Sequence, residues 1–539
     1  MLRTLSLLLF SLALAGCLPQ QARQQAPASE DTAILTTSVA SPGAVATTRS
    51  LPDQPGGLCE PPQDMWERIR VGMTLPNHDH PGVRTDLEWY ASHQGYLDRV
   101  VTRAMPYLHL VVEAVEARHL PTEIALLPVV ESAFQPFAYS HGRAAGLWQF
   151  IPGTGRRFNL KQGWWYDGRR DVAASTEAAL NYLEYLRDHF DGDWLLALAA
   201  YNSGEGTVKR AVARNKARGK PTDFWSLDLP RETRGYVPKL LAISRLVMDP
   251  DTHGASLEPV ANEPFLTTVE LDSQIDLALA AELAGISLEE IYLYNPGFNR
   301  WATDPDGPHN LLLPVERVAD FRQRLTAYPP ERRVRWERHQ VKSGENLLQI
   351  AKNYRTTVDL LKSVNNLRGN AIRAGTTLTI PVARQKLASY RLSEEQRLQT
   401  TQNQPRDGRR VDYMVKSGDS LWSIARRHDV GVNALARWNG MAPRDPLLPG
   451  RKLVIWTEAK GDSVAAGNPA GFTHPFSSST RQRIGYTVRS GDSLAGISQR
   501  FRVSVDNLKR WNKLDGTKYL QPGQRLTLFV DVIRQSGNL

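Results

Sequence analysis

At 539 residues the chain is too long for one ordinary core; at about 150 residues per domain it holds three or four. Lys and Arg total 66 against 56 Asp and Glu, a net charge of +10 that favours an anionic partner. Nucleic acid, anionic lipid and an anionic wall polymer all satisfy that charge, so the choice falls to the elements along the chain.

The chain opens "MLRTLSLLLFSLALAGC", with one early arginine, an apolar run too short for a comfortable membrane span, and then Leu14, Ala15, Gly16 and Cys17. This resembles a bacterial lipoprotein signal (1–17), in which the cysteine is lipidated and becomes the first residue after cleavage. An ordinary secretory signal or signal anchor is the alternative. Leu18 is not the aspartate associated with inner-membrane retention, so the resemblance implies a lipid anchor on the periplasmic face of the outer membrane. An exported chain meets wall polymer before nucleic acid, which makes nucleic acid the weakest use of the charge. Cys59 then lacks an intrachain partner and reads as an incidental thiol. Residues 18–62 are rich in Gln, Ala, Ser, Thr and Pro; they bury too little apolar area to offset chain entropy and read as a tether.

Residues 63–260 carry apolar positions at three- and four-residue spacing, which predicts a mainly α domain. In "PTEIALLPVVESAF" (121–134) Pro121 suits a first helical turn. On a continuous helix Glu131 extends the apolar face of Ile124, Leu127 and Pro128. Burial disfavours a charged carboxylate, so such a Glu can hold a proton at neutral pH and donate it to a glycosidic oxygen. Taken alone, it reads equally as a helix-end residue or half of a salt bridge.

The C-terminal half repeats itself. "HQVKSGENLLQIAKNYRTTVDLLKSVNN", "YMVKSGDSLWSIARRHDVGVNALARWNG" and "YTVRSGDSLAGISQRFRVSVDNLKRWNK" align without a gap, and Val341, Val415 and Val488 each stand 24 residues before Asn365, Asn439 and Asn512. A short strand, a Ser-Gly turn, two amphipathic helices and a closing strand after glycine make a βααβ unit. These units (338–383, 411–457, 484–531) resemble LysM modules, a likeness that implies binding to N-acetylglucosamine-containing glycans. Residues 265–330 follow the same order, with Asn295 at the asparagine position and Asp272, Ser273 and Gln274 replacing the Ser-Gly turn; they read as a degenerate LysM-like unit. The polar stretches 384–410 and 458–483 read as linkers that let the modules move independently. Multivalent binding then raises the local concentration of the domain on its polymer. Removing everything after about residue 335 is expected to weaken binding to sacculi and leave some cleavage.

Four stretches in the helical domain occur in order: Glu131 with Ser132; GLWQF (146–150); AYNSGEG (200–206); and ETRGYVP (232–238). Together they resemble the soluble-lytic-transglycosylase-like family, whose fold is that of goose-type lysozyme. The fold class is therefore multidomain: a mainly α lysozyme-like catalytic domain followed by small βααβ LysM modules. The resemblance implies that Glu131 is the single catalytic acid and base and that Ser132 supports it. Gly146, Gln149, Tyr201, Asn202 and Tyr236 then bind substrate, the peptidoglycan glycan strand.

Gly146 allows close backbone approach, and Gln149 offers donor and acceptor to an N-acetyl or hydroxyl group. Tyr201 and Asn202 precede a glycine-rich turn, which places them at a cleft mouth rather than inside a helix. Trp148 stands where the family commonly has methionine, as a sugar-facing wall or as core. Tyr236 faces either substrate or the core. Glu205 and Glu232 read as helix caps or partners of arginines.

Most glycosidases need two carboxylates; the family avoids this because the muramic acid C6 hydroxyl attacks its own anomeric carbon. A lysozyme-type hydrolase remains the alternative, with Asp167, Asp171, Glu177 or Glu205 as second carboxylate, as does a non-catalytic wall-binding protein. No metal-ligand cluster, phosphate loop or dinucleotide fingerprint is present, so no metal or cofactor is expected.

Overall fold

The computed structural model describes residues 62, 64–76, 78–457 and most of 481–531. Cys17 and Cys59, the expected signal and nearly all of the tether, and residues 458–480 of the second expected linker lie outside the described residues. Among the described residues, ten helices build the first domain: α1 (Met65–Val71), α2 (Pro81–Ala91), α3 (Gln94–Ala104), α4 (Leu108–Glu116), α5 (Leu127–Ser132), α6 (Pro152–Arg157), α7 (Val172–His189), α8 (Trp194–Ser203), α9 (Glu205–Ala217) and α10 (Arg231–Met248).

Helix α8 is the axis of this domain. Six consecutive residues, 195–200, are buried, the signature of a helix surrounded on every side. Asp193 caps its start by accepting from the Leu196 amide at 3.0 Å, and Gly204, at φ +84°, ends it. Helices α7, α9 and α10 pack around it.

The modules follow. Strands β1 (Leu266–Glu270) and β2 (Asn310–Pro314) flank α11 (Leu277–Ala284) and α12 (Leu288–Tyr294), with α13 (Val318–Leu325) appended. Next come β3 (Arg335–Gln340), α14 (Leu347–Asn353), α15 (Val358–Val364) and β4 (Thr377–Val382). After α16 (Glu394–Asn403) the second repeat contains β5 (Arg409–Met414), α17 (Leu421–Arg427), α18 (Val432–Trp438) and β6 (Lys452–Thr457). The third has β7 (Arg481–Thr487), α19 (Leu494–Phe501), α20 (Val505–Asn512) and β8 (Arg525–Asp531). Each strand pair is antiparallel. A lone hairpin is marginal in water, and in each module the helix pair supplies the apolar cover, as Ile350 and Leu361 do over Val341 and Ile380 in the first repeat.

The recurring asparagine staples helix to strand. Asn439 donates to the Leu435 and Val454 carbonyls at 2.8 Å each and accepts from the Val454 amide at 2.7 Å. Asn365 makes the same three bonds to Leu361 and Thr379. Asn295 repeats them with Ile291 and Leu312, so the degenerate unit keeps the staple although it lost the Ser-Gly turn. A side-chain amide that mimics one strand residue closes the sheet edge where the helix ends.

The stretch 384–410 is not a linker. It contains α16, and the turn before it buries Tyr390 and Leu392 in the apolar cluster of the LysM-like unit. The Tyr390 hydroxyl donates to Asp276 at 2.9 Å, and the Arg384 amide donates to the same carboxylate at 2.9 Å. Arg300 pairs with Glu394 at 2.9 Å, Arg355 with Glu395 at 3.0 Å, and Gln402 donates to Asn439 at 2.9 Å. The expected independent movement across this segment is therefore replaced by a strap that joins three modules. Two buried side chains and a set of ion pairs anchor an otherwise polar sequence. The LysM-like unit is likewise seated on the helical domain: the Asp167 amide donates to the Gly297 carbonyl at 2.8 Å, and the Tyr107 hydroxyl to the Leu293 carbonyl at 2.6 Å. The other expected linker shortens at its far end, because β7 begins at Arg481.

Candidate active site

The helix expected to be continuous through Glu131 is split. Residues Thr122–Leu126 form a 3-10 turn after Pro121, and α5 then lasts six residues with Pro128 in its first turn. It stops because Ala133 and Phe134 both adopt left-handed conformations, φ +50° and +53°, and their amides fold back on the Val129 and Pro128 carbonyls. Two successive non-glycine residues in that region store strain of the kind that collects at functional sites. Glu131, one residue from the end of α5, is half-buried while Ile124, Leu127 and Pro128 are buried.

Burial pushes the Glu131 carboxyl up from 4.5 to about 7, opposed by a hydrogen bond from Tyr236 and aided by the charge of Glu232. The Tyr236 hydroxyl lies 2.5 Å from Oε1 of Glu131, so this side chain, one turn into α10, faces the carboxyl rather than only the core.

Ser132 does not hydrogen-bond the carboxylate. Its hydroxyl donates to the Leu147 carbonyl at 2.9 Å, which ties the end of α5 to the 146–150 turn. In that turn Gly146 has φ +83°, and a Cβ there would lie 1.9 Å from the Arg169 carbonyl oxygen, a space only glycine fits. Gln149, at φ +48°, donates from Nε2 to the Gly146 carbonyl at 2.9 Å. Trp148 is fully buried, and its indole N–H donates to Thr176 at 2.9 Å. Of its two readings, the structure selects core packing.

Tyr201 and Asn202 lie in the last turn of α8, not outside a helix as expected; Gly204 comes late enough for the helix to include them. Both are half-buried at the helix end. The Tyr201 hydroxyl donates to the Trp148 carbonyl at 2.9 Å, and burial with the nearby Glu131 charge holds its phenol well above the usual range. Asn202 accepts from Thr233 at 2.8 Å. Thr233, inside the quoted ETRGYVP stretch, is a contact of a candidate site residue that the sequence does not single out. Tyr182, whose ring lies 5.4 Å from that of Tyr201, is another, and no motif signalled it.

The other carboxylates have partners of their own. Burial raises the Asp167 carboxyl, but Arg169 and Arg170 hold it below its usual range on balance. Asp171 caps α7 through the Ala174 amide at 2.8 Å. Glu177 pairs with Arg118, and Glu205 with Arg157 at 2.9 Å. Among the described residues, no cluster of three or more His, Cys, Asp or Glu is arranged to hold a metal ion.

One elevated glutamate under a tyrosine hydroxyl, in a helical domain followed by βααβ modules, defines a lysozyme-like enzyme of the cell wall. Family models agree: residues 112–224 match the transglycosylase SLT domain, 265–329 the LysM-like domain of lytic transglycosylase MltD, and 339–381, 413–456 and 486–529 the LysM domain. Membrane-bound lytic murein transglycosylase D of Escherichia coli K12 is 38% identical over 419 residues, covering 75% of this chain and 88% of that protein. The chain belongs to the family of that enzyme. An autolysin of Enterococcus faecalis is 35% identical over 176 residues, 33% of this chain and 22% of its own. The solved 70 kDa soluble lytic transglycosylase of Escherichia coli is 28% identical, over 26% of this chain and 23% of that one, with a TM-score of 0.23.

Proposed function

We propose that this lytic murein transglycosylase cleaves the β-1,4 bond between N-acetylmuramic acid and N-acetylglucosamine with Glu131 as sole acid and base. Glu131 gives its proton to the bridging oxygen as the C1–O bond breaks, and the substrate acetamido group stabilises the anomeric cation. The muramic C6 hydroxyl then bonds to C1 and returns its proton to Glu131. No water is consumed, and the new end is 1,6-anhydromuramic acid.

The observation that carries this reading is the Glu131 carboxyl itself: near 7, it is protonated often enough to donate and ionised often enough to accept. Ion pairs and caps already occupy Asp167, Asp171, Glu177 and Glu205, which supports a one-carboxylate route over a two-carboxylate one. Tyr236 holds the carboxyl in place, Gln149 and Asn202 contact the sugars, and Ser132, Gly146 and Tyr201 shape the turn that carries Gln149. Mass spectrometry of digested sacculi tests the reaction: anhydro ends are expected, and reducing muramic acid ends would make the enzyme a hydrolase.

We further assign Cys17 as the lipid attachment point and the periplasmic face of the outer membrane as the location. The Leu14 to Cys17 motif supports this, as does the relative that is named membrane-bound. The LysM modules hold the glycan. Cys17→Ser is expected to release the enzyme from membranes; retention in the membrane fraction would refute the anchor.

A further inference from the structure

A cavity of about 410 Å3 opens where the helical domain, Asn299 of the LysM-like unit, the strap helix α16 and the second repeat meet. Five arginines line it against three carboxylates, Asp167, Glu394 and Asp445. Each carboxylate is already engaged. Asp167 takes Arg169 through two bonds, at 2.9 and 2.7 Å. Glu394 pairs with Arg300 at 2.9 Å, and Asp445 pairs with Arg143 at 2.8 Å while accepting from the Tyr139 hydroxyl at 2.8 Å.

Glu394 also attracts Arg170, Arg397 and Arg451, but one carboxylate cannot neutralise three guanidinium groups, so an excess of positive charge remains. Buried Arg170 reaches Asp167 only at 3.6 Å and Asn299 at 3.3 Å, and its Nε is sealed from solvent without a hydrogen-bond partner. Buried Arg397 donates to the Leu392 carbonyl and lies 4.4 Å over the Phe137 ring. Burial and neighbouring Arg170 pull its guanidinium down to about 9. Half-exposed Arg451 completes the lining on the side of the second repeat. Guanidinium groups held out of water beside one another are costly until an anion joins them, and their forked donors match carboxylates. The volume suits an organic ligand rather than a single inorganic ion.

We propose that this cavity binds a carboxylate-bearing peptide, the stem peptide that wall polymer carries on muramic acid, through Arg170, Arg397 and Arg451. The assignment rests on the reading of peptidoglycan as substrate. Arg169 is the wall between the cavity and the 146–150 turn. Its carbonyl crowds Gly146, and its guanidinium donates to the Arg143 and Phe150 carbonyls at 2.8 and 3.3 Å. A peptide held there is in contact with the frame of the turn that presents Gln149.

Calorimetry on the full chain tests this with the free wall tetrapeptide, the same peptide with its carboxyls amidated, and inorganic phosphate. The free peptide is expected to bind, the amidated one not, and Arg397→Met and Arg451→Gln each to weaken binding about tenfold, the worth of one charge-assisted bond. Arg451→Gln, at the rim, guards against a folding defect in Arg397→Met. In digestion assays both variants are expected to raise KM on sacculi and leave cleavage of peptide-free glycan strands unchanged. Equal binding of acid and amide, undiminished binding by both variants, or phosphate binding as tight as peptide would each overturn the assignment. Failure of the wild type to cleave peptide-free strands would instead count against the transglycosylase reading, with the binding result unaffected.

Discussion

Replacing Glu131 with glutamine keeps the shape and an acceptor for Tyr236 but removes the proton that the reaction moves. Loss of a positioned general acid and base lowers the rate by about 10²–10⁴-fold, measured as anhydro-ended muropeptides released from sacculi. The same substitution has a stability signature. A rise from 4.5 to about 7 is worth roughly 3 kcal/mol in favour of the neutral carboxyl at about 1.4 kcal/mol per tenfold. Screening at a half-buried group trims this to about 2 kcal/mol. Because the folded value is raised, the stabilising contribution is complete below pH 4.5 and is lost as pH climbs through 7. Glutamine never ionises, so the variant should match wild type near pH 4 and exceed it by about 2 kcal/mol at pH 8 in denaturant titrations. Wild-type activity should fall above pH 7 as the acid form is depleted. Variant activity within about tenfold of wild type, or a stability difference that does not grow with pH, refutes the assignment.

Tyr236→Phe removes the 2.5 Å bond that favours the ionised carboxylate. The pH at which activity falls should move upward, by up to about one unit, read from a kcat/KM profile. Gly146→Ala drives a Cβ into the Arg169 carbonyl at φ +83° and is expected to cost about 3 kcal/mol or more, seen as a lowered melting point. Asn439→Ala deletes the staple of the second repeat and should destabilise that module by about 2–4 kcal/mol, with hydrogen exchange rising at Val454. Truncation after residue 335 strips Leu360, Tyr390 and Leu392 from the apolar cluster they share with the LysM-like unit, whereas truncation after 457 leaves it whole. Each lost contact is worth about 1.5–3 kcal/mol, so the shorter protein should melt lower and bind an apolar dye, against the simple expectation of weakened wall binding alone.

Glu131 and Gly146 stood out in the sequence through the order of four motifs; the raised carboxyl and the close approach to Arg169 are what the structure adds. Trp148 was ambiguous by nature, since an indole suits a sugar and a core equally; only the bond to Thr176 decides. Tyr201 and Asn202 were placed outside a helix because Gly204 suggests a break, yet a glycine at a C-cap ends a helix after the preceding residues. The repeats were plain in their period. Their docking was not, because the strap hides two apolar anchors, Tyr390 and Leu392, in a polar run whose ion pair to Arg300 and hydrogen bond to Asp276 reach across 94 and 114 residues of sequence.

The strap also changes how load travels. A glycan gripped by the second repeat pulls on a module whose Asp445 is latched to Tyr139 and Arg143, seven and three residues before Gly146. A pull on the second repeat would therefore reach the frame of the 146–150 turn through these two bonds instead of dissipating in a slack chain.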